Sequence, residues 1–321
     1  MATMNAPTES PARGFRGWRI AGLAVGAILI LLITAAALYF RYSLPIGRGP
    51  AGPAVPHDAF SAPWSTRPIL VVGLGDSVTA GFGARNGYGY FDRVIRNAPE
   101  DPADVAGMSL ALVLPNLQFT NLSVSGSTSA ELVERQLPFL PIAGSNVFGI
   151  VLITTGGNDL IHNYGRTPPR EQAMYGASLQ QAQPWIAGFE SRLEKMVADI
   201  SSRFPGECQI YLANIYDPSD DVGNLEKAGL PPWPDGVRIL AAYNQRIAKV
   251  AAGHPQVHLV NIHDLFLGHG LYCTQFWREN YDSHDPHYWY YSNLEDPNER
   301  GYDAIRRLFL MKIAENAKAL K

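Results

Sequence analysis

Cysteine is almost missing from this 321-residue chain, where only Cys208 and Cys273 occur. There is no Cys-x-x-Cys pair and no His-x-x-x-His on a predicted helix, so no metal-ligand spacing is offered. If the chain is exported, an oxidising compartment permits Cys208 to pair with Cys273; otherwise Cys208, which opens a predicted core strand, is simply buried. A charge excess is lacking too. The 26 Lys+Arg against 29 Asp+Glu give a formal charge of −3, and no basic, aromatic-interleaved surface is visible, so nothing points to nucleic acid. No internal repeat is apparent. A dinucleotide loop is excluded because Gly73-x-Gly75 is followed by Val78 where the third glycine belongs. The nucleophile elbow is excluded because Thr79 replaces the glycine it needs two residues after a serine. The acidic run Asp217-Pro218-Ser219-Asp220-Asp221 lacks the alternating ligands and distal Glu of a calcium loop, and reads as a solvated turn.

What is present begins with a long apolar run. From Ile20 to Phe40 the chain is almost wholly apolar, long enough at ~1.5 Å per residue to cross a bilayer core of roughly 30 Å. Arg13, Arg16 and Arg19 precede it, and Arg41 and Arg48 follow. That balance leans toward a cytoplasmic N-terminus (1–19), a transmembrane anchor (20–41) and a translocated remainder. The alternative is a signal peptide cleaved near Ala35-Ala36-Ala37, although the run is longer than the usual apolar region of such a peptide. Residues 42–67 carry Pro45, Pro50, Pro53, Pro56 and Pro63 with three glycines, and read as a stiff spacer that would hold the following domain off the membrane.

Chemistry concentrates at three strand ends. Ile69-Leu70-Val71-Val72 reads as a buried strand running into the turn Gly75-Asp76-Ser77-Val78-Thr79-Ala80-Gly81. Ser77 then sits where α/β sheets open their ligand crevice, and a hydroxyl there serves as a nucleophile if a base and oxyanion donors are in reach. Phe119 to Ser129 reads as a second strand ending in a Gly/Ser turn around Gly126. A third, Ile150 to Thr155, ends in Gly156-Gly157-Asn158-Asp159. Taken singly, Asn158 is equally well an Asx-type turn closer and Gly126 a residue needed for positive φ.

Together, in this order and at strand ends, the three segments resemble the SGNH/GDSL hydrolase family. The resemblance covers roughly Pro68 to the C-terminus. It implies a three-layer α/β/α flavodoxin-like fold with a central parallel sheet and an ester hydrolase (an esterase, lipase or acetylesterase) that needs no cofactor. Ser77 is implied as nucleophile, with the backbone N–H groups of Ser77 and Gly126 and the Asn158 side chain as the oxyanion hole.

The fourth segment departs from that pattern. Most members carry Asp-x-x-His-Pro before the last helix, whereas this chain reads Asn293-Leu294-Glu295-Asp296-Pro297. Asp296 stands where the histidine is expected and Asn293 where the aspartate is. A carboxylate of ordinary pKa is a poor base toward a serine hydroxyl. Upstream, Asp282-Ser283-His284-Asp285-Pro286-His287 offers replacements: His287 or His284 as base, oriented by Asp285 or Asp282. If neither serves, the chain is a non-catalytic glycan- or lipid-binding protein on the same fold.

Strands are expected at 69–72, 118–124, 149–154, 209–215 and 257–262, with helices near 90–97, 130–136, 185–204, 237–252 and 302–319. Alternation of this kind implies right-handed crossovers and one α/β domain over residues 68–321. Two long insertions, 162–183 and 216–236, are expected to wall the substrate site. The aromatic run Tyr288-Trp289-Tyr290-Tyr291 is either a further wall or packing under the last helix. Envelope or small-molecule esters are the expected partners, with the domain extracytoplasmic.

Overall fold

The computed structural model describes residues 13–320, with side chains from Trp18 onward. Two compact units are present, one ending at Ser43 and the other beginning at Leu44. The first is a helix, α1 (Arg13–Tyr42). Its Trp18–Tyr42 portion has a mean hydropathy of 2.6 and buries none of its apolar window, so it is long and apolar enough to cross a membrane. The expected anchor at 20–41 falls inside it, whereas most of the expected cytoplasmic N-terminus lies outside the described residues.

The second unit is built on five strands: β1 (Ile69–Gly75), β2 (Leu117–Asn121), β3 (Phe148–Thr154), β4 (Cys208–Ala213) and β5 (Val257–Val260). They form one parallel sheet in the order β2-β1-β3-β4-β5. Every residue of β3 and β4 is buried, and in β1 all but Leu70, because both faces carry helices. Period-two alternation divides their side chains. Val71 and Ile150 join the core on one face, and Val72 and Val151 join the core on the other.

The helices of this unit are α2 (Ser77–Ala80), α3 (Tyr90–Ile95), α4 (Leu110–Val113), α5 (Ser129–Glu131), α6 (Gly157–Ile161), α7 (Leu179–Arg203), α8 (Gly236–Gly253), α9 (Ile262–Phe266) and α10 (Glu299–Glu315). Tyr90 of α3 and Phe309 of α10 stack on one face, and Phe189 of α7 and Tyr243 of α8 stack on the other. The result is the α/β/α arrangement expected from the sequence. α7 starts six residues before the expected Trp185, because Ser178 and Gln181 form a capping box that secures its first turn.

Residues 42–67 differ from expectation. From Leu44 on they are fastened to the domain, and the domain boundary moves from 68 to 44. Ala51, Val55 and Phe60 are buried, and Leu44 packs on the same core. The Ala51 N–H donates to Asp303 Oδ2 at 3.3 Å, and the Arg300 guanidinium donates to the carbonyls of Arg48 (2.9 Å) and Pro50 (3.2 Å). Proline forbids regular helix and inner strand but not burial. An extended chain whose carbonyls are satisfied by arginines lies flat against α10.

Both cysteines are buried and free, so the alternative of simple burial is the one realised. Only Asp221 of the acidic run is exposed, so most of the run is not solvated either. Asp217 and Asp220 are buried, and Asp220 accepts the backbone N–H groups of Gly268, Gly270 and Tyr272 at 2.8–3.1 Å, which closes a loop.

Candidate active site

The turn after β1 owes its sharpness to Gly75. Its φ is +120°, and a Cβ there would lie 1.8 Å from the Thr154 carbonyl oxygen, so no other residue fits. The next residue, Asp76, caps α2 by accepting the Val78 N–H at 3.1 Å. Ser77 follows as the first residue of α2, where helical geometry leaves its own N–H without an intrahelical acceptor. Behind it, the Thr154 hydroxyl donates to Asp76 Oδ1 (2.7 Å). The Thr79 hydroxyl bridges Thr154 (2.7 Å) and Tyr90 (2.8 Å). This buried chain of hydroxyls fixes the turn that presents Ser77. Burial pushes the Asp76 carboxyl up to about 7, against the pull of the Thr154 and Val78 hydrogen bonds.

Two neighbouring turns are locked to that one. Gly156, with φ +98°, lets β3 turn into α6 and places Asn158 in its first turn. The Asn158 amide donates to the Ser127 carbonyl at 3.1 Å, which uses one of its two N–H groups. Gly126 takes φ +81° in the turn closed by the Ser127 N–H and the Val124 carbonyl at 3.0 Å, a position that favours glycine. Gln136, fully buried, grips both turns: its amide pairs with both backbone groups of Gly75 (2.8 and 2.7 Å) and donates to the Ser127 hydroxyl (3.0 Å). Asp159, buried behind Asn158, accepts the Ser129 N–H at 2.8 Å and is held by Arg192. Gln136 was not among the residues expected at the site, because it follows Glu134 and Arg135 in a helical turn and nothing in the sequence sets it apart from them.

Asp296 lies beside Ser77. The turn Asn293–Asp296 is closed by the side-chain oxygen of Asn293, which accepts the N–H groups of Glu295 and Asp296 at 3.2 Å each. The Asn293 amide donates to Asp296 Oδ2 at 2.7 Å. Asp296 is 1 % exposed, and its other oxygen, Oδ1, is buried with no closed hydrogen bond. Burial pushes this carboxyl above its ordinary 3.8, while the Ser77 hydroxyl and the Asn293 amide pull it back. The Ser77 hydroxyl is near enough to act on the Asp296 carboxyl, while Oδ1 closes no hydrogen bond, and binding of substrate is the step at which such a pair tightens.

The loop that carries the two expected histidines is used differently. The His287 ring donates through Nδ1 to Asp285, which also accepts the Arg300 guanidinium and the Trp289 indole (3.2 Å). His284 has a side chain 96 % exposed, and its backbone N–H rests on Asp282 at 2.8 Å. Neither histidine, nor Asp282 or Asp285, is among the residues that line the cavity at Ser77. The aromatic run beside them is packing: Trp289 stacks on His269 at 3.4 Å, and Tyr290 packs edge-on against Phe266 and Tyr216. His263, just after β5, is bound to Asp221 at 3.1 Å, and His162 is likewise absent from the lining.

Ser77, Asp76 and Asn158 open onto one cavity of about 130 Å³. Both insertions wall it, through Tyr164 and Tyr175 from the first and Leu225, Leu230 and Trp233 from the second. Leu160, Ile215, Leu240 and Ile262 complete a largely apolar interior. The Tyr164 hydroxyl reaches across to Glu295, whose carboxyl is pushed up to about 7 by burial. Gly126 does not line the cavity and is joined to it through Ser127, the residue that Asn158 holds.

A serine at a strand end, an asparagine beside it and a carboxyl behind it now stand together, and residues 74–304 match the profile of the GDSL-like lipase/acylhydrolase family. The chain belongs to that family. Ester hydrolysis is the activity that membership supports. Among solved structures, an extracellular lipase from Streptomyces rimosus is 21 % identical, with 78 % of this chain and 100 % of that chain covered and a TM-score of 0.49. An acetyl-xylooligosaccharide esterase from Geobacillus is 18 % identical (78 % and 94 % covered, TM-score 0.47). A phospholipase A1 from Streptomyces albidoflavus is also 18 % identical (79 % and 100 % covered, TM-score 0.46). No curated protein sequence matches the chain.

Proposed function

We propose that this GDSL-family protein is a membrane-anchored serine hydrolase that cleaves neutral carboxylic esters through an acyl-enzyme on Ser77. The observation that carries the reading is the meeting of Ser77 and Asn158 in one cavity whose remaining wall is mostly apolar. Acyl transfer builds negative charge on the substrate carbonyl oxygen, and donors already aimed at it stabilise that charge. The Ser77 N–H and the free N–H of the Asn158 amide are the donors at the cavity in this reading, and the Gly126 N–H, outside the cavity lining, is the third donor that the family pattern implies. Each is worth about 3 kcal/mol, or on the order of a hundredfold in rate. Water then releases the acyl group, and the scheme needs no cofactor.

The lining supports a substrate class. Its carboxyls are those of Asp76, Asp217 and Glu295, each raised by burial, and among the described residues no lysine, arginine or histidine joins them. Such a wall gives no ion-pair partner to a phosphate or carboxylate. It suits an uncharged ester whose acyl chain lies among Leu160, Leu230, Trp233 and Leu240. The span at Trp18–Tyr42 and the arginines ahead of it support an anchor with the catalytic domain on the extracytoplasmic side.

The test uses the full chain in detergent with p-nitrophenyl esters of increasing acyl length, alongside Ser77→Ala. Hydrolysis by wild type that vanishes in the variant is expected, with stoichiometric labelling of Ser77 by a fluorophosphonate. Equal rates in the two proteins, or no turnover at any chain length, would sink the hydrolase reading. Protease protection in intact cells tests the topology: cleavage of the domain only after the membrane is broken contradicts it.

A further inference from the structure

We infer that the Asp296 carboxylate, rather than a histidine, takes the proton from Ser77. The inference rests on the ester-hydrolase reading above and names the base that this reading requires. Four observations carry it. Asp296 is buried next to the Ser77 hydroxyl. Its Oδ2 is held by Asn293 at 2.7 Å, which fixes the carboxyl plane. Its Oδ1 is buried and makes no closed hydrogen bond, an expensive state that a hydroxyl swinging into line relieves. Finally, Leu294 and Glu295, which precede Asp296 directly, line the cavity, whereas among the described residues no histidine does, and the two in the preceding loop are an exposed side chain and one held by Asp285.

A carboxylate is ordinarily too weak a base for this task, and its surroundings answer that objection. The titratable groups that feel the Asp296 charge are Asp76, Glu295, Tyr216 and Tyr302. None of them is a cation, so none stabilises the ionised carboxyl as an ion pair would. Burial strengthens it as a base, as it does for Asp76 and Glu295.

The steps balance. The Ser77 O–H bond breaks as its Oγ bonds to the acyl carbon, the proton passes to Asp296, and the carbonyl electron pair moves to oxygen. Collapse breaks the bond to the alcohol, and that alkoxide takes the proton back from Asp296. A water then gives its proton to Asp296 while its oxygen attacks the acyl carbon. Ser77 Oγ departs with that proton and the carboxylic acid is released. Asn293 touches none of the reacting atoms and is a positioning residue.

The experiment compares Asp296→Asn with the double variant His284→Ala/His287→Ala in the full chain, reading kcat/KM against pH and thermal unfolding. Asp296→Asn keeps the side-chain shape and is expected to lose a factor on the order of 10² to 10⁴. The double histidine variant is expected to keep its rate and the position of its acid limb. Loss of activity in the histidine variant, with Asp296→Asn still active, overturns the inference and leaves the hydrolase reading intact. A wild type no faster than Ser77→Ala removes the hydrolase reading itself, and the two failures are thereby told apart. If Asp296→Asn unfolds early, the histidine variant decides alone: an unmoved acid limb supports Asp296, and a lost one overturns it.

Discussion

The two turns that lead toward α10 hold opposite resources. Residues 282–287 have two histidines and two aspartates, and leave His284 to solvent while His287, Asp285, Trp289 and Arg300 form one bonded group that also secures the extended segment at 48–50. Residues 293–296 have no histidine, yet their last carboxyl is the one beside Ser77. What distinguishes the two turns is their address. The second leads straight into the Asn298 cap of α10, and its Leu294 and Glu295 line the cavity. The first lies against the outer strap. A residue with the better intrinsic chemistry does nothing for a serine it does not reach.

Substitutions in the two turns and at the serine separate their roles. The largest effect is expected from Ser77→Ala, with a loss of kcat approaching a millionfold at the limit seen when a serine nucleophile is removed. Asp296→Asn comes next, at roughly 10² to 10⁴ in kcat/KM. Its pH dependence has a definite sign. Because burial raises this carboxyl, the base is lost as pH falls through the raised value and is fully available above it, so the activity limb lies on the acid side. Asn158→Ala should cost on the order of 10² to 10³ in kcat with little change in KM, since an oxyanion donor acts mainly in the transition state. Smaller again is Asn293→Ala. Removing one hydrogen bond to a charged group, worth about 1.5–3 kcal/mol, should slow turnover roughly ten- to a hundredfold and shift the acid limb upward. A merely structural asparagine would lower the melting temperature without moving that limb. The smallest effect belongs to His284→Ala. Its side chain is 96 % exposed, so rate should be unchanged and stability should move by no more than about 0.5 kcal/mol. A large loss there would reverse the roles of the two turns.

Much of this was legible in the sequence because it depends on local rules. The apolar runs at Ile69 and Ile150 required buried parallel strands, and the glycines after them required sharp turns, so the addresses of Ser77 and Asn158 followed. The insertions at 162–183 and 216–236 had to go somewhere at the strand ends, and they wall the cavity. What escaped depends on long-range packing. Asp296 looked like a lost histidine because its basicity comes from burial, which no spacing reveals. Gln136 looked like one more helical residue, though it satisfies the end of β1 from 61 positions away in the chain. The proline-rich stretch looked like a spacer because its partners, Arg300, Asp303 and Arg307, lie more than 200 residues downstream.

The most direct test of the account is the pH profile of kcat/KM in three proteins: wild type, Asp296→Asn and His284→Ala/His287→Ala. With Asp296 as the base, wild type and the histidine variant share one acid limb and one plateau, while Asp296→Asn loses both together. A histidine variant whose plateau collapses, beside an Asp296→Asn protein that still turns over with a limb near the ordinary imidazole value of about 6.5, would contradict it.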